Sequence, residues 1–228
     1  MASFRKNQTL EDFQKFIEEV YAIPDDRLYS MADMLVQQQR FTMKSLKGIR
    51  KQDRQKIKKN LMIALSWLMA IANRLHISAE KDVWKRFPML CSYCGKKPCV
   101  CKKVKPEKRK HVKMGNAKKP KNLVGFQKMF DEIYPAENRT LADAGVHLAE
   151  EMGEVSEAIH NFLGQHKNAQ FEKVKVEISD YISCSFGVAN SAKINVAQEL
   201  EKMFYNNCHI CHKIRCTCNF SRVSKLKT

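Results

Sequence analysis

The chain has 228 residues, of which 41 are Lys or Arg and 24 are Asp or Glu, so its formal net charge is +17. A hydrophobic content of 44% is enough for a packed core and excludes a wholly disordered chain. The sequence has no apolar run of about 18 residues and no apolar stretch near its start, so we expect neither a membrane span nor a secretory signal. We therefore expect a cytoplasmic protein, whose nine cysteines are better explained as metal ligands than as disulfides.

Most of the positive charge lies in two segments. Residues 44–59 contain eight basic residues and one acid, a net of +7, and residues 102–121 contain ten basic residues and one acid, a net of +9. The second segment has no apolar periodicity and contains Pro and Gly, which predicts a solvated linker. Charge concentrated in this way is typical of surfaces that bind nucleic acid, with a strong dependence on salt.

Eight of the nine cysteines form two clusters with the same spacing, C-x2-C-x4-C-x-C. Four thiolates so close in sequence indicate one tetrahedral metal ion, and zinc is the usual ion for four sulfurs. An iron–sulfur cluster is the alternative. Because both clusters keep all four cysteines, we expect each zinc knuckle to be structural. The predicted ligands are Cys91, Cys94, Cys99 and Cys101 in the first knuckle, and Cys208, Cys211, Cys216 and Cys218 in the second.

The two cysteine clusters are 117 residues apart at every position, which indicates an internal repeat. Sliding residues 60–101 by 117 pairs identical residues at 11 of 42 positions, whereas earlier in the chain an offset of 113 aligns the sequence FQK at 13–15 with FQK at 126–128. Four extra residues in the second copy account for the change of offset. The predicted division is a four-helix region at 1–90, a knuckle at 91–101, a basic linker at 102–121, a second four-helix region at 122–207 and a second knuckle at 208–219.

Apolar periodicity predicts four helices in the second copy, over residues 122–134, 141–163, about 171–192 and 195–206. Thr140 and Asp143 match a capping box at the start of the second helix, and Gly164 is expected to end it. The first copy repeats this plan, with Thr9 and Asp12 as its first cap. Strand patterns are lacking, so the predicted class is all-α, with a small zinc knuckle after each four-helix region.

Paired acids occur on the second and third helices of the second copy. Glu151 and Glu154 are one helical turn apart, as are Glu177 and Asp180, so each helix presents two carboxylates on one side. At about 100° per residue, Glu151 borders the apolar stripe of its helix. If the two helices pack together, four negative charges converge, and oxygen ligands of this kind suit Mg²⁺. A solvated helix face is the alternative explanation of an EExxE run.

The first copy lacks all five acids of this region while it keeps the cysteines and the helical plan. A structural role in the common fold would have persisted in both copies, so the difference indicates one working site and one copy that has lost it. The aligned pairs are Gln37 with Glu150, Gln38 with Glu151, Phe41 with Glu154, Asn60 with Glu177, and Ile63 with Asp180.

The pattern EExxE, a gap of 22 residues, then ExxD, on adjacent helices of a four-helix unit, resembles the MazG-type all-α nucleoside triphosphate pyrophosphohydrolases over about 85 residues. This resemblance implies Mg²⁺-dependent cleavage of a (deoxy)nucleoside triphosphate or related nucleotide to monophosphate and pyrophosphate. It also implies dimeric sites, which a tandem chain would form as an intramolecular pseudo-dimer. The implied roles are Mg²⁺ ligation by Glu151, Glu154, Glu177 and Asp180, water orientation or outer-shell contact by Glu150, and phosphate or nucleotide contact by Lys202 and Asn190.

Aromatic residues of the facing copy are expected to contact the base, with Phe41 and Trp67 as candidates and core packing as the alternative for both. The leading hypothesis is therefore a magnesium-dependent nucleotide pyrophosphohydrolase with structural zinc. The rival hypothesis is a non-catalytic zinc-containing nucleic-acid-binding protein that uses residues 44–59 and 102–121. The two are compatible, because basic segments also attract anionic substrates.

Overall fold

The computed structural model describes residues 3–104, 106–108, 112 and 117–226. These residues form α-helices and one short 3-10 helix, Ala136–Asn138, with no β-strand among them, which confirms the all-α class. No single described helix is long and apolar enough to cross a membrane; the helices Arg54–Arg74 and Ala79–Arg86 meet that test only when taken together as a bent pair. The helices are α1 (Leu10–Leu28), α2 (Met31–Arg50), α3 (Arg54–Arg74), α4 (Ala79–Arg86), α5 (Leu123–Ile133), α6 (Leu141–Gln165), α7 (Asn168–Ser191), α8 (Val196–Phe204) and α9 (Phe220–Ser224).

Local sequence signals set most of the helix ends. Thr9 forms the predicted capping box with Asp12 at the start of α1, and α6 begins with the equivalent box. α5 ends two residues before Pro135, whose ring cannot continue a helix. The prediction that Gly164 ends α6 is wrong: the helix continues to Gln165 and ends where His166 adopts a left-handed φ of 52°.

The chain divides into two compact units, and each unit combines parts of both copies. Unit 1 comprises residues 1–79 and 196–228, and unit 2 comprises residues 80–195. Unit 1 therefore holds α1–α3 of the first copy with α8 and the second knuckle, whereas unit 2 holds α4 and the first knuckle with α5–α7 of the second copy. These boundaries differ from the sequence-based division, in which each copy keeps its own fourth helix and knuckle.

Aromatic packing holds each exchanged helix in its unit. In unit 1, Phe204 of α8 packs against Phe13 of α1 with ring centroids 5.7 Å apart. In unit 2, Phe87 is the residue aligned with Phe204, and its ring lies 5.3 Å from that of Phe130 in α5. Helices of eight or nine residues such as α4 and α8 are unstable alone and depend on packing. Each fourth helix is therefore held by the three-helix core of the other copy.

Candidate metal centres and nucleotide site

Each cysteine cluster folds into a compact loop whose sulfurs lie at metal-binding distance. In the first knuckle, Sγ of Cys91 is 3.8 Å from that of Cys101, and Sγ of Cys94 is 3.9 Å from that of Cys99. Sulfur pairs of the second knuckle are 3.4–4.0 Å apart. Tetrahedral zinc, with Zn–S bonds of about 2.3 Å, requires sulfurs about 3.8 Å apart. The geometry supports two four-cysteine zinc sites, as the spacing predicted.

Backbone hydrogen bonds fasten each knuckle to the first helix of the other copy. The N–H of Cys99 donates to the carbonyl of Ile133 at the end of α5, with an N···O distance of 2.8 Å. At the aligned positions of unit 1, the N–H of Cys216 donates to the carbonyl of Val20 in α1, also at 2.8 Å. The docking is therefore the same in both units, and a zinc ion in either knuckle would stabilise a helix of the other copy.

Carboxylates from α6 and α7 converge in unit 2, as the sequence predicted for packed helices. One oxygen from each of Glu151, Glu177 and Asp180 lies within 4.8 Å of the others. Oxygens bound to a single Mg²⁺ at about 2.1 Å are about 3–4 Å apart, so small side-chain movements suffice to bind the ion. Glu177 is 1% exposed, and its Oε2 has no hydrogen-bond partner among the described residues. A bound cation would satisfy this buried oxygen.

Glu154 lies beside this cluster, and Glu150 is exposed on the same helix. Burial raises the pKa of Glu177; a hydrogen bond from Lys173 opposes this effect, and the nearby Glu154 carboxyl adds to it. The resulting pKa is above its ordinary value, as expected where carboxylates crowd together without a metal. A divalent cation would compete with protons for this group, so its affinity for the site should fall at low pH.

Two basic side chains face the acidic cluster. The guanidinium of Arg86 donates two hydrogen bonds to Asp180, from Nε to Oδ1 at 3.0 Å and from Nη2 to Oδ2 at 2.7 Å. Both side chains are largely buried, at 16% and 10% exposed. Burial alone would lower the pKa of Arg86, but the bonds to Asp180 raise it above its ordinary value. Lys173, whose side chain is 60% exposed, forms an ion pair with Glu177.

Arg86 belongs to the first copy and was not among the site residues predicted from the sequence. It reaches the acids of the second copy because α4 is part of unit 2. The repeat aligns Arg86 with Met203. Like the five acids, Arg86 is therefore a charged residue in one copy that is replaced by an uncharged residue in the other, and this difference could have identified it. Lys173 carried no such signal, because the first copy also has a lysine, Lys56, at that position.

Unit 1 has buried, uncharged side chains at the positions equivalent to the acidic site: the polar Gln38 and Asn60 align with Glu151 and Glu177, and an apolar cluster surrounds Ile63, which aligns with Asp180. Phe41 and Ile63 are fully buried there and pack with Ala64. The partly buried side chains that pack against this cluster are Trp67, Met203 and Leu226. The alignment pairs Phe41 with Glu154, Ile63 with Asp180, and Met203 with Arg86, so a carboxylate and its arginine have both been replaced by apolar groups.

Of the remaining predicted nucleotide contacts, Asn190 has a structural partner within unit 2, and the others belong to unit 1. Asn190 forms a reciprocal pair with Gln127: it accepts a hydrogen bond from Nε2 at 2.8 Å and donates to the Gln127 carbonyl at 3.2 Å. Asn73 forms the same pair with Gln14 in unit 1. This repetition points to a structural clamp between the first and third helices of each copy.

Lys202, Phe41 and Trp67 all belong to unit 1, whereas the acidic cluster belongs to unit 2. Lys202 is exposed and forms an ion pair with Glu199 at 3.0 Å. The fully buried position of Phe41 is the core packing that the sequence left as the alternative explanation.

The first basic segment, residues 44–59, runs from the C-terminal end of α2 into the first turns of α3 in unit 1. One of its lysines, Lys58, pairs with Glu199 at 3.2 Å. Of the second segment, 102–121, residues 105, 109–111 and 113–116 lie outside the described part of the chain. Near its end, Lys119 pairs with the buried carboxyl of Glu80 at 2.6 Å.

Comparisons of this chain with models of protein families, with curated proteins and with solved structures found no match.

Proposed function

We propose that unit 2 is a magnesium-dependent nucleotide pyrophosphohydrolase of the MazG-like type and that the two knuckles hold structural zinc. The observation that carries this proposal is the convergence of Glu151, Glu177 and Asp180, together with the buried Oε2 of Glu177, which has no hydrogen-bond partner among the described residues. Its support from the first copy is the set of uncharged side chains at equivalent positions, Gln38, Asn60 and Ile63, since a requirement of the common fold would have kept the acids in both.

In the proposed reaction, water attacks the α-phosphorus of a nucleoside triphosphate, and the bridging bond between the α-phosphorus and the α–β oxygen breaks. Pyrophosphate leaves with the electron pair of that bond, and the other product is the nucleoside monophosphate. Mg²⁺ bound by Glu151, Glu154, Glu177 and Asp180 would supply charge neutralisation of the triphosphate and an activated water. Glu150, which is exposed and precedes Glu151 in the chain, would orient this water and accept its proton.

Arg86 and Lys173 have positioning roles in this scheme. Arg86 binds both oxygens of Asp180 through its planar, two-pronged hydrogen bonding, which fixes the orientation of the carboxylate; a cation would bind the lone pairs that Arg86 leaves free. Lys173 is mostly exposed and flexible enough to leave Glu177 for a phosphate oxygen once the cation has replaced its charge. Such prearranged charges account for most of the acceleration of phosphoryl transfer.

Product analysis tests the proposal. The zinc-loaded protein is incubated with each common ribo- and deoxyribonucleoside triphosphate and Mg²⁺, beside Glu154→Gln. We expect monophosphate and pyrophosphate in equal amounts from at least one nucleotide, and none from the variant. An absence of turnover on every nucleotide by protein with full zinc content would contradict the proposal, and release of orthophosphate and diphosphate would show a different reaction.

A further inference from the structure

A polar groove continues from the acidic cluster toward the turn between α6 and α7. It has a volume of about 460 Å³, within the roughly 300–1,000 Å³ of typical small-molecule sites. Glu154 and Lys173 line the end of the groove next to the cluster, and Lys173 pairs with Glu177 of the cluster itself. The groove and the proposed metal site therefore share residues, and a ligand held by one reaches the other.

Three side-chain amides line the rest of the groove, together with Glu157, Ala158 and Ala169. The amides come from Asn161 and Gln165 on α6 and from Gln170 on α7. Nε2 of Gln170 donates to Oε1 of Gln165 at 3.0 Å, whereas Oε1 of Gln170 has no hydrogen-bond partner among the described residues. An amide offers both donors and an acceptor, which matches the mixed donor and acceptor edge of a nucleobase.

The groove is specific to the second copy because the hairpin of the first copy is shorter and closed. At the aligned place in the first copy, α2 approaches α3 so closely that a Cβ added to Gly48 would lie 2.9 Å from the backbone nitrogen of Ile57. Ser45 of α2 also donates a hydrogen bond to the Ile57 carbonyl at 3.3 Å. The second copy has Asn161 in place of Gly48 and Ala158 in place of Ser45, so both features that close the first hairpin are missing.

The four extra residues of the second copy lie at this turn. By the repeat alignment, α6 continues two residues beyond the position of Arg50, and α7 begins three residues before the position of Arg54. The insertion therefore lengthens both helices and supplies Ala169 to the groove, directly before Gln170. The insertion and the acids occur together in one copy and are absent together from the other.

We propose that this groove is the nucleoside subsite of unit 2, in which the amides of Asn161, Gln165 and Gln170 hydrogen-bond the base while the triphosphate lies at the acidic cluster. The inference rests on the proposed function. It assigns base selection to polar groups of the second copy, in place of the aromatic residues Phe41 and Trp67 that the sequence suggested.

Binding of two probes separates the nucleoside from the phosphates. The zinc-loaded protein with Mg²⁺ is titrated calorimetrically with α,β-imido nucleoside triphosphates of the four bases, which resist cleavage at the proposed bond, and with inorganic tripolyphosphate, which has no nucleoside. For Gln170→Ala we expect at least tenfold weaker binding of the preferred imido nucleotide, about 1.4 kcal/mol. We also expect smaller differences between bases and unchanged binding of tripolyphosphate.

Two further variants complete the test. Ala169→Trp fills the groove and should block the imido nucleotides while it leaves tripolyphosphate binding intact. Gln52→Ala, at the first copy's counterpart of Gln165, should change the binding of neither the imido nucleotides nor tripolyphosphate. If the wild-type protein binds and cleaves nucleotides but the groove variants retain affinity and base preference, the subsite is wrong and the proposed function stands. If the wild-type protein neither binds imido nucleotides nor cleaves any triphosphate, the proposed function itself fails.

Discussion

Units 1 and 2 share one helical plan and one type of zinc knuckle, but they differ where the second and third helices of each copy meet. In unit 2 this place holds converging carboxylates and Arg86; in unit 1 it holds buried, uncharged side chains, the polar Gln38 and Asn60 and the apolar Phe41, Ile63 and Met203. The fold therefore does not need the charged groups. An arrangement that the scaffold tolerates as either charged or uncharged, and that is charged in only one unit, is best explained by function.

The paired replacement of Asp180 and Arg86 also has a physical reason. Removing one member of a buried ion pair leaves an uncompensated charge, which costs several kcal/mol, whereas replacing both with apolar groups of suitable shape is often neutral. Ile63 and Met203 form such a joint replacement. Because Arg86 is in the first copy and Asp180 in the second, the two copies have diverged in a coordinated way.

The largest expected effect comes from variants that test whether each knuckle docks on the first helix of the other copy. Cys91→Ser should lose one zinc ion and expose the amides of α5 to hydrogen exchange, because the first knuckle docks on Ile133; Cys208→Ser should instead expose α1. Structural zinc contributes on the order of 10 kcal/mol in small zinc domains, so local unfolding is expected in each case. Cys184→Ser, outside the knuckles, is the control. Exposure of α1 by Cys91→Ser would show that the knuckle stays with its own copy.

The next effect tests the acidic site by giving it a side chain of the first copy. Glu151→Gln installs the residue found at Gln38, removes a negative charge from the proposed Mg²⁺ site and should lower kcat/KM for the preferred nucleotide about 1,000-fold, or about 4 kcal/mol. Glu172→Gln changes an exposed acid of α7 outside the cluster and should remain within about twofold of wild type. Equal activity of the two variants would place the chemistry elsewhere.

A smaller effect is expected at the arginine. Arg86→Met copies Met203 and leaves Asp180 buried without its partner, which should lower the free energy of unfolding by about 3 kcal/mol in Mg²⁺-free buffer. Added Mg²⁺ should restore part of this loss, since the cation replaces the missing charge. Urea denaturation with and without Mg²⁺ measures both the loss of stability and its recovery. The control is Lys85→Met, at an exposed neighbour on α4, which should change the free energy of unfolding little. A loss that Mg²⁺ does not reduce would mean that Arg86 and the cation act independently.

The smallest effect concerns the crowded carboxylate. Since burial and Glu154 raise the pKa of Glu177 in the folded chain, its ionised form disfavours folding. Glu177→Gln should therefore stabilise the Mg²⁺-free protein at neutral pH. This gain should shrink as pH falls through the raised pKa and vanish well below the ordinary value of 4.5, where the carboxyl is protonated in both states. Melting temperatures of the variant and the wild-type protein from about pH 4 to 8 would measure this change in stability. Destabilisation of the variant at neutral pH would contradict the claim that burial and Glu154 disfavour the ionised form of Glu177.

Local features of the fold followed from the sequence, whereas the exchange between copies did not. Capping residues such as Thr9 and Thr140 fix helix starts through nearby hydrogen bonds, and cysteine spacing fixes the knuckles, so both were predictable. The exchange of α4 and α8 depends on which of two similar cores receives each helix. Phe87 and Phe204 are identical residues in aligned positions, so composition and periodicity do not distinguish their partners.

The candidate site likewise has features that were predictable from the sequence and features that were not. Pairs within one helix, such as Glu151 with Glu154, are readable from spacing, and comparison of the copies singled them out. Arg86 and the groove at Gln170 depend on how distant segments pack, and the amide pair of Asn190 with Gln127 becomes recognisable as a clamp only from its geometry.

The most direct test of the account is Mn²⁺ binding to the zinc-loaded protein, followed by electron paramagnetic resonance, because Mn²⁺ prefers the same oxygen ligands as Mg²⁺. We predict binding that Mg²⁺ displaces, that weakens at low pH, and that is lost when Glu151→Gln and Asp180→Asn are combined but kept in Glu172→Gln. No Mn²⁺ binding by the wild-type protein, or binding that survives the combined substitution, would contradict the claim that unit 2 holds a divalent-cation site.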